Sequence, residues 1–240
     1  MYVGVDGCAA GWTSVKYENG KNWELKIFSS VLELWHYYQE SEMILIDIPI
    51  GLREKGSKPR LCDQLARRIL TRKRSSSIFP TPCRSALYAE NYESAKRINI
   101  KKTGKSLSKQ TWNIMPKIKE VYELLMSEKD ARNKLIESHP ELCFASFAGN
   151  KPMIHYKKTA KGKKERINLL LTSCPEIGDF LDYHLTNFDN QKMEADDILD
   201  SAILAISASK GKEKIEFIPN DYELDSEGLP MRMARPKVFF

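Results

Sequence analysis

Three stretches near the start of the chain have the length and side-chain pattern of β-strands. They cover residues 2–7, 12–18 and 23–28. Successive side chains on a strand point to opposite faces, and in residues 12–17 alternate positions would therefore form two separate rows. Residues 18–21 contain an Asn-Gly pair, which is typical of a tight hairpin turn. The second and third strands are therefore predicted to form a hairpin.

A helical spacing of apolar residues replaces this pattern after residue 29. Ser29 and Ser30 are suitable N-cap residues, because a serine side chain can accept a hydrogen bond from the first helical turn. The predicted apolar face consists of Val31, Leu32, Leu34 and Trp35. Residues 43–48 form the next strand, and their run of apolar side chains is expected at the centre of a covered sheet. The predicted order is β-β-β-α-β.

The middle of the chain has helical spacing over residues 59–70, 84–97 and 108–126, with a loop over 72–81. We therefore expect a helical insertion over residues 52–130, within one domain that spans residues 1–240. A fifth short strand is predicted over residues 134–138. Further helices are predicted over residues 140–147, 164–173, 176–186 and 193–209. The predicted fold is α/β, with a mixed five-stranded sheet and helices on both faces.

The composition favours a folded intracellular protein. The chain has 240 residues, of which 42% are hydrophobic, so it can bury a substantial core. No apolar run approaches the roughly 18 residues of a membrane span, and no positively charged leader follows Met1, so a cytoplasmic location is expected. The five cysteines are never spaced as CxxC, which argues against a disulfide framework or a structural zinc site.

The formal charge of +6 is unevenly distributed. Basic residues cluster over residues 60–74 and 151–166, whereas acids gather over 194–200 and 221–227. A basic run can be no more than a solvated face. It can also form a phosphate-binding surface beside an acidic pocket.

Four aspartates stand where a buried sheet could bring them together. Asp6 and Asp47 each close an apolar strand, and Asp197 and Asp200 lie three residues apart on one face of the last helix. Each also has a plainer interpretation: Asp6 as a turn cap, Asp47 as half of a salt bridge, and the acids of residues 194–197 as partners of the helix dipole. The dipole explains Asp200 poorly.

Taken together, these acids predict a divalent cation. Oxygen-only ligands favour Mg²⁺ or Mn²⁺ over zinc, and two such ions about 4 Å apart could activate water and stabilise a leaving oxygen. Glu137 and His139 flank a predicted strand end and are further candidates, although a single histidine is more often structural.

The strand order and the acids on the first strand, the fourth strand and the last helix resemble the ribonuclease H-like superfamily. The ending Asp197-x-x-Asp200-Ser201-Ala202 is most similar to RuvC-type resolvases, with Ser201 where that branch usually has alanine. The resolvase resemblance also allows a homodimer.

Nearly the whole chain resembles the domain of unknown function 429 family, a group predicted to be RNase H-like nucleases. The matching motifs are Gly4-Val5-Asp6-Gly7-Cys8 with Gly11-Trp12, Asp47-Ile48-Pro49-Ile50-Gly51, Arg60-x-Cys62-Asp63 with Ala66-Arg67, Arg74-x-Ser76-Ser77-Ile78-Phe79-Pro80-Thr81-Pro82, Glu137-x-His139-Pro140-Glu141, Asp196-Asp197-x-x-Asp200 and Gly228-Leu229-Pro230-Met231.

We therefore expect metal-dependent hydrolysis of nucleic acid. Asp6, Asp47, Asp197 and Asp200 are the expected metal ligands, and Glu137 is expected to be a further ligand or a proton shuttle. Basic residues expected to contact DNA or RNA are Arg67, Arg74, Arg84, Lys157, Lys158 and Lys161. Alternatively, the arginines are ion-paired within the fold.

Two other functions fit the same residues. An actin-like phosphotransferase or ATPase shares the first-strand aspartate, but it needs a second glycine-rich phosphate loop, and Gly104 and Gly162 stand alone. A non-catalytic nucleic-acid-binding protein would retain the fold without the chemistry.

Overall fold

Five strands form one mixed sheet in the computed structural model, which describes residues 1–18 and 20–238. The spatial order is β3-β2-β1-β4-β5. The strands are β1 Tyr2–Cys8, β2 Gly11–Glu18, β3 Asn22–Phe28, β4 Met43–Ile46 and β5 Leu135–Glu137. The first three are antiparallel neighbours, and β4 runs parallel to both β1 and β5. The predicted α/β fold with a mixed five-stranded sheet is confirmed, and it is consistent with an RNase H-like fold.

The predicted hairpin joins β2 to β3, and Glu18 pairs with Asn22 across it. Asn19, half of the predicted Asn-Gly turn, lies outside the described residues.

Nine helices surround the sheet in the described part of the chain. They are α1 Val31–Tyr38, α2 Leu61–Arg74, α3 Tyr92–Thr103, α4 Lys109–Ser127, α5 Ala131–Lys134, α6 Pro140–Phe147, α7 Ala160–Ser173, α8 Gly178–Asn187 and α9 Ala195–Ala208. Short 3-10 helices at Ser75–Ser77, Arg84–Tyr88, Pro175–Ile177 and Lys212–Lys214 join some of them. The chain between β4 and β5 is therefore largely helical.

Some boundaries and faces differ from the prediction. The helix predicted over residues 84–97 is divided, because the Asn91 side chain accepts a hydrogen bond from the Ser94 amide and begins α3 there. Helix α2 is interrupted at Thr71, where φ is 53° and ψ is −171°, and only a further short helical segment continues to Arg74 within the predicted loop. Leu32, predicted on an apolar face, is 45% exposed, and Leu61, within the helical spacing predicted over residues 59–70, is 41% exposed. The helical spacing was predicted correctly, but the row of side chains that faces the core lies to one side of each leucine.

The two faces of the sheet carry separate cores. Val3 and Val5 of β1 pack with the buried stripes of α1 and α4. Met43 and Leu45 of β4 face the opposite side and pack with α6, α8 and α9. Because neighbouring side chains on each strand enter different cores, both faces of the sheet are covered by helices, as predicted.

Helix α9 lies directly against the backbone of β1. A β-carbon added at Gly4 would lie 2.1 Å from the carbonyl oxygen of Ser201 and 2.3 Å from the amide nitrogen of Ala205. The Ser201 hydroxyl also donates a hydrogen bond to the Thr13 carbonyl of β2, at 3.2 Å. Glycine is required here because no side chain fits between strand and helix, and this contact fixes the position of α9 over β1.

A second, two-stranded sheet near the C-terminus was not predicted. It consists of β6 Ile215–Ile218 and β7 Met233–Pro236, paired antiparallel. The Ser138 hydroxyl donates to the Ala234 carbonyl at 2.8 Å, which attaches β7 beside the end of β5. The five cysteines are buried and unpaired. As far as the structure describes the chain, no helix has the length and apolar character needed to cross a membrane.

Candidate metal centre

A cavity of about 620 Å³ opens at the carboxyl ends of β1 and β4. The two strands run parallel, with Val5 opposite Ile46, so the residues that follow them meet at the same edge. The Asp47 amide donates to the Val5 carbonyl at 2.9 Å, which continues the pairing by one residue. Asp6 and Asp47 therefore line the cavity side by side, and Asp200 of α9 joins them.

Asp6 is buried close to the other acids of the cavity. It is 8% exposed, and its Oδ1 accepts a hydrogen bond from the Gly7 amide at 2.7 Å. Burial, together with the negative charges of Asp47 and Asp200, raises the pKa of Asp6 well above its ordinary value. Burial also raises the pKa of Asp47, with a further contribution from Asp200. Acids that repel one another in this way favour a cation between them.

Asp200 is only 2% exposed and comes from the helix that lies on Gly4. Its Oδ2 accepts a hydrogen bond from the Lys157 ammonium at 2.6 Å. Its Oδ1 is buried and has no hydrogen-bond partner among the described residues. A buried carboxylate oxygen without a partner is costly, so this atom is a candidate ligand for a cation.

Lys157 supplies a positive charge to the acids of the cavity. Its ammonium also lies 3.0 Å from Oδ2 of Asp196. Burial alone would lower the pKa of Lys157, but the charges of Asp200, Asp6 and Asp196 raise it above its ordinary value. The segment that carries Lys157 is held by α7, since a β-carbon at Gly162 would lie 2.0 Å from the Tyr156 carbonyl oxygen.

Asp197 is engaged at the start of α9. Its Oδ2 accepts a hydrogen bond from the Glu194 amide at 2.7 Å, and the two residues form a capping box. Burial raises the pKa of Asp197 to about 6, and the charges of Asp196 and Asp200 add to this. Asp197 thus lies near the cavity acids, but one of its oxygens caps the helix. Its role as a metal ligand stays a prediction.

Glu137 is fully engaged with Arg60. The two arginine amino groups donate to Oε1 and Oε2 at 2.7 and 2.8 Å, and the Ile50 amide donates to Oε2 at 2.6 Å. The same guanidinium binds Asp63 at 2.6 Å. Burial alone would lower the pKa of Arg60, but these acids raise it well above its ordinary value. Arg60 therefore joins the start of α2 to the end of β5.

Cys62, Asp63 and Glu137 form a second group with metal-binding potential. One ligand atom from each lies within 4.8 Å of the others, and all three residues are buried, so the cluster could hold a metal. Two features oppose this. Arg60 already neutralises both carboxylates, and burial raises the pKa of the Cys62 thiol above its ordinary value, which disfavours the thiolate that binds metals.

Glu141 and His139 line the main cavity, and the sequence left their roles open. His139 caps α6: its Nδ1 accepts a hydrogen bond from the Glu141 amide at 3.2 Å. Glu141 is 6% exposed and forms an ion pair with Arg166. The motif Glu137-x-His139-Pro140-Glu141 identified this segment, but only the structure shows which of its glutamates reaches the cavity.

The basic residues predicted to bind nucleic acid have different environments. Arg67 donates to the Ile78 carbonyl, and buried Arg84 pairs with Asp225 at 2.6 Å. Arg74 lines the cavity while donating to the Ile154 carbonyl at 2.8 Å. Lys157 binds the cavity acids, Lys158 pairs with Glu194 at 2.7 Å, and Lys161 is exposed on α7. Arg67 and Arg84 therefore hold the fold together.

Sequence reasoning missed several other residues of the cavity. The Lys117 side chain of α4 lines it, donates to the Gly11 carbonyl and lies against Gly7. Further polar and aromatic residues of the lining are Ser76, Ser77, Phe79, Gln110, Asn113 and Tyr156. They come from segments predicted as helix or loop, and nothing in their spacing relates them to the strand-end acids.

A family profile described as "Protein of unknown function (DUF429)" matches residues 4–224. The matched range includes Asp6, Asp47, Glu141 and Asp200. No curated protein matches the chain, and no solved structure does. Because the match extends over most of the 240 residues, the chain belongs to the DUF429 family.

Proposed function

We propose that this protein hydrolyses phosphodiester bonds in nucleic acid, with Mg²⁺ or Mn²⁺ bound by Asp6, Asp47 and Asp200. The observation that carries the proposal is the meeting of these three acids in one cavity although they lie far apart in the sequence. The acids repel one another, and Oδ1 of Asp200 has no partner in the described part of the chain. A cation would resolve both features.

The donor set fits a hard divalent cation. The three aspartates offer carboxylate oxygens, which Mg²⁺ and Mn²⁺ prefer, whereas sites for softer metals are richer in thiolate and imidazole. A bound ion of this kind would activate a water molecule and stabilise the leaving oxygen of the phosphodiester.

The protein itself supplies groups that suit a phosphate backbone. Lys117 and Arg74 bring positive charge to the cavity lining, and the side chains of Gln110 and Asn113 offer amide N–H donors. Phosphate oxygens bind such donors strongly because the hydrogen bonds are charge-assisted. These residues would orient the backbone, while His139 holds the start of α6 in place through the Glu141 amide.

Metal binding and hydrolysis can be tested on the same variants. We expect Mn²⁺ at a hundred times its dissociation constant to stabilise the folded protein by about 2.7 kcal/mol. Asp6→Asn and Asp200→Asn should lose this gain, together with any Mn²⁺-dependent cleavage of a panel of single-stranded, duplex and branched DNA and RNA. Asp182→Asn, an exposed change on α8, is the matched control and should retain both. A wild-type protein that neither binds Mn²⁺ nor cleaves any member of the panel would refute the proposal.

A further inference from the structure

We propose that Glu141 is a further carboxylate ligand of the cation site, held in position by Arg166, and that Glu137 is a structural residue. This inference rests on the proposed function, because it concerns the same cavity. It assigns to Glu141 a role that the sequence had favoured for Glu137.

The first step is the unused oxygen of Glu141. The residue lines the cavity with Asp47, and the two are close enough for their charges to interact. Its Oε1 accepts a hydrogen bond from Nη2 of Arg166. Its Oε2 is buried and has no hydrogen-bond partner in residues 1–18 and 20–238. A nine-tenths buried carboxylate with one free oxygen on a cavity is suited to bind a cation.

The second step concerns Arg166, which is fixed before any ligand arrives. Its side chain is completely buried, and Nη1 donates to the carbonyls of Gly162 at 3.0 Å and His155 at 3.2 Å. Its guanidinium lies 5.4 Å from the centre of the Phe144 ring. An arginine that served only to neutralise Glu141 would be expected to bind both carboxylate oxygens. Here it binds one, and so it orients the carboxylate while leaving the other oxygen available.

The third step is the contrast with Glu137. Both glutamates are buried and both are paired with a buried arginine. Both oxygens of Glu137 are used, by Arg60 and by the Ile50 amide. Both oxygens of Glu137 therefore already have hydrogen-bond partners, whereas one oxygen of Glu141 has none in the described residues.

The fourth step is that the ammonium of Lys157 is bound to acids other than Glu141. Lys157 is bound to Asp200 and Asp196. Among the acids that line the cavity, the buried oxygens without a partner in the described residues are Oδ1 of Asp200 and Oε2 of Glu141, and Asp6 and Asp47 lie in the same lining. Ligands from β1, β4, α6 and α9 would then surround one cation-binding region.

Direct titration with Mn²⁺ separates this inference from the proposed function. Free Mn²⁺ is followed by electron paramagnetic resonance at fixed pH, with the wild type, Glu141→Gln, Glu137→Gln and Asp6→Asn. We expect Glu141→Gln to weaken Mn²⁺ binding by about tenfold or more, a loss typical of damage to a metal site. Glu137→Gln is the matched control, a buried, arginine-paired glutamate. It should bind Mn²⁺ within about twofold of the wild type and lower the thermal midpoint.

The outcomes have distinct meanings. If Glu141→Gln binds Mn²⁺ as tightly as the wild type, the proposed role of Glu141 is overturned. A loss of Mn²⁺ binding in Asp6→Asn would still support the metal site. Mn²⁺ binding by none of the proteins would refute the proposed function itself. Circular dichroism without metal checks folding, since the glutamine carbonyl can still accept from Arg166. If Glu141→Gln does not fold, Glu141→Asp replaces it: the shorter carboxylate should bind Mn²⁺ less tightly, and wild-type affinity would refute the inference.

Discussion

Lys157 determines the charge balance of the cavity before any cation binds. Its ammonium binds Asp200 and Asp196, two carboxylates of α9 that would otherwise face each other in a buried place. The basic run over residues 151–166 had been interpreted either as a solvated face or as a phosphate-binding surface. Lys157 instead forms ion pairs with Asp196 and Asp200 of the same chain.

Replacing Lys157 with methionine should therefore destabilise the metal-free protein and strengthen its response to metal. Loss of the charged hydrogen bonds is expected to reduce the free energy of unfolding by about 2 kcal/mol in EDTA. Saturating Mn²⁺ should recover more stability in the variant than in the wild type, because the cation then has no competitor. Urea denaturation with EDTA and with Mn²⁺ measures both effects.

Lys158→Met is the matched control for that experiment. Lys158 pairs with Glu194 at an exposed position, where an ion pair contributes less than about 1 kcal/mol. Equal losses for the two variants would show that Lys157 is no more than a surface residue.

The pKa of Asp6 gives a prediction for pH. Because its folded-state pKa lies above the ordinary value of 3.8, the folded protein binds a proton more tightly than the unfolded chain does. The favourable contribution of Asp6 to the free energy of unfolding is complete below pH 3.8. It is lost as the pH rises through the raised pKa. Asp6→Asn should thus stabilise the metal-free protein more at pH 8 than at pH 5. Each unit of pKa shift corresponds to about 1.4 kcal/mol. Denaturation in EDTA at pH 5 and at pH 8 tests this prediction. A stability difference between Asp6→Asn and the wild type that does not depend on pH would contradict it.

At the level of single side chains, sequence reasoning could place the acids but not their partners. Asp6 and Asp47 were identifiable because each directly follows a buried strand, and parallel strands end at a common edge. The pairing of Arg60 with Glu137 could not be anticipated, since it depends on how α2 folds back against β5. The same is true of Arg166 and Glu141, whose helices α7 and α6 meet only in the folded protein.

The packing of α9 on β1 gives a prediction about the helix as a unit. A methyl group at Gly4 would collide with the backbone of α9 rather than with a flexible side chain. Gly4→Ala should therefore move the helix and destabilise the protein by about 3 kcal/mol, the upper end for overpacking. Since Asp200 moves with the helix, Mn²⁺ affinity should fall as well. Thermal denaturation and Mn²⁺ titration provide the two measurements.

Gly178→Ala tests whether any added methyl has this effect. A β-carbon at Gly178, the first residue of α8, would make only an ordinary contact at 3.6 Å with Leu171. The control should keep the stability and Mn²⁺ affinity of the wild type. A harmless Gly4→Ala would mean that α9 is free to shift and that it does not fix Asp200.

The strands and helices differ in how well local sequence determines them. In the large sheet, β1 and β4 were predictable from their apolar runs, and β2 and β3 from alternating side chains and the turn between them. Strand β7 was missed because Arg235 and Pro236 interrupt its apolar residues, and its position depends on the hydrogen bond from Ser138; β6 pairs with β7 and was missed with it. The division at Asn91 shows the same limit, since a single cap can end a helical period that continues in the sequence.

For the protein as a whole, the proposed function predicts electrostatic binding to nucleic acid. The logarithm of the affinity should fall with the logarithm of salt concentration, with a slope of about −0.9 for each phosphate neutralised on duplex DNA. Arg74→Gln and Lys161→Gln should each reduce the magnitude of this slope by about 1 without a large loss of stability. Fluorescence anisotropy with a labelled duplex, in Ca²⁺ to prevent cleavage, gives the slope.

Arg84→Gln is expected to change stability and not the salt slope. Arg84 is bound to Asp225 and the Leu52 carbonyl, so its loss should lower the thermal midpoint and leave the salt slope unchanged. Binding that does not depend on salt would contradict a phosphate-contacting surface.

The contact between Gly4 and α9 has a consequence for the newly made chain. Strand β1 leaves the ribosome well before α9, the helix that covers Gly4 and carries Asp200, which is the last α-helix of the described residues. Until then Asp6 and Asp47 lack their third partner and one side of β1 stays uncovered. Under the proposed function, a chain translated only as far as α8 would therefore lack part of the cation site and would not yet cleave nucleic acid.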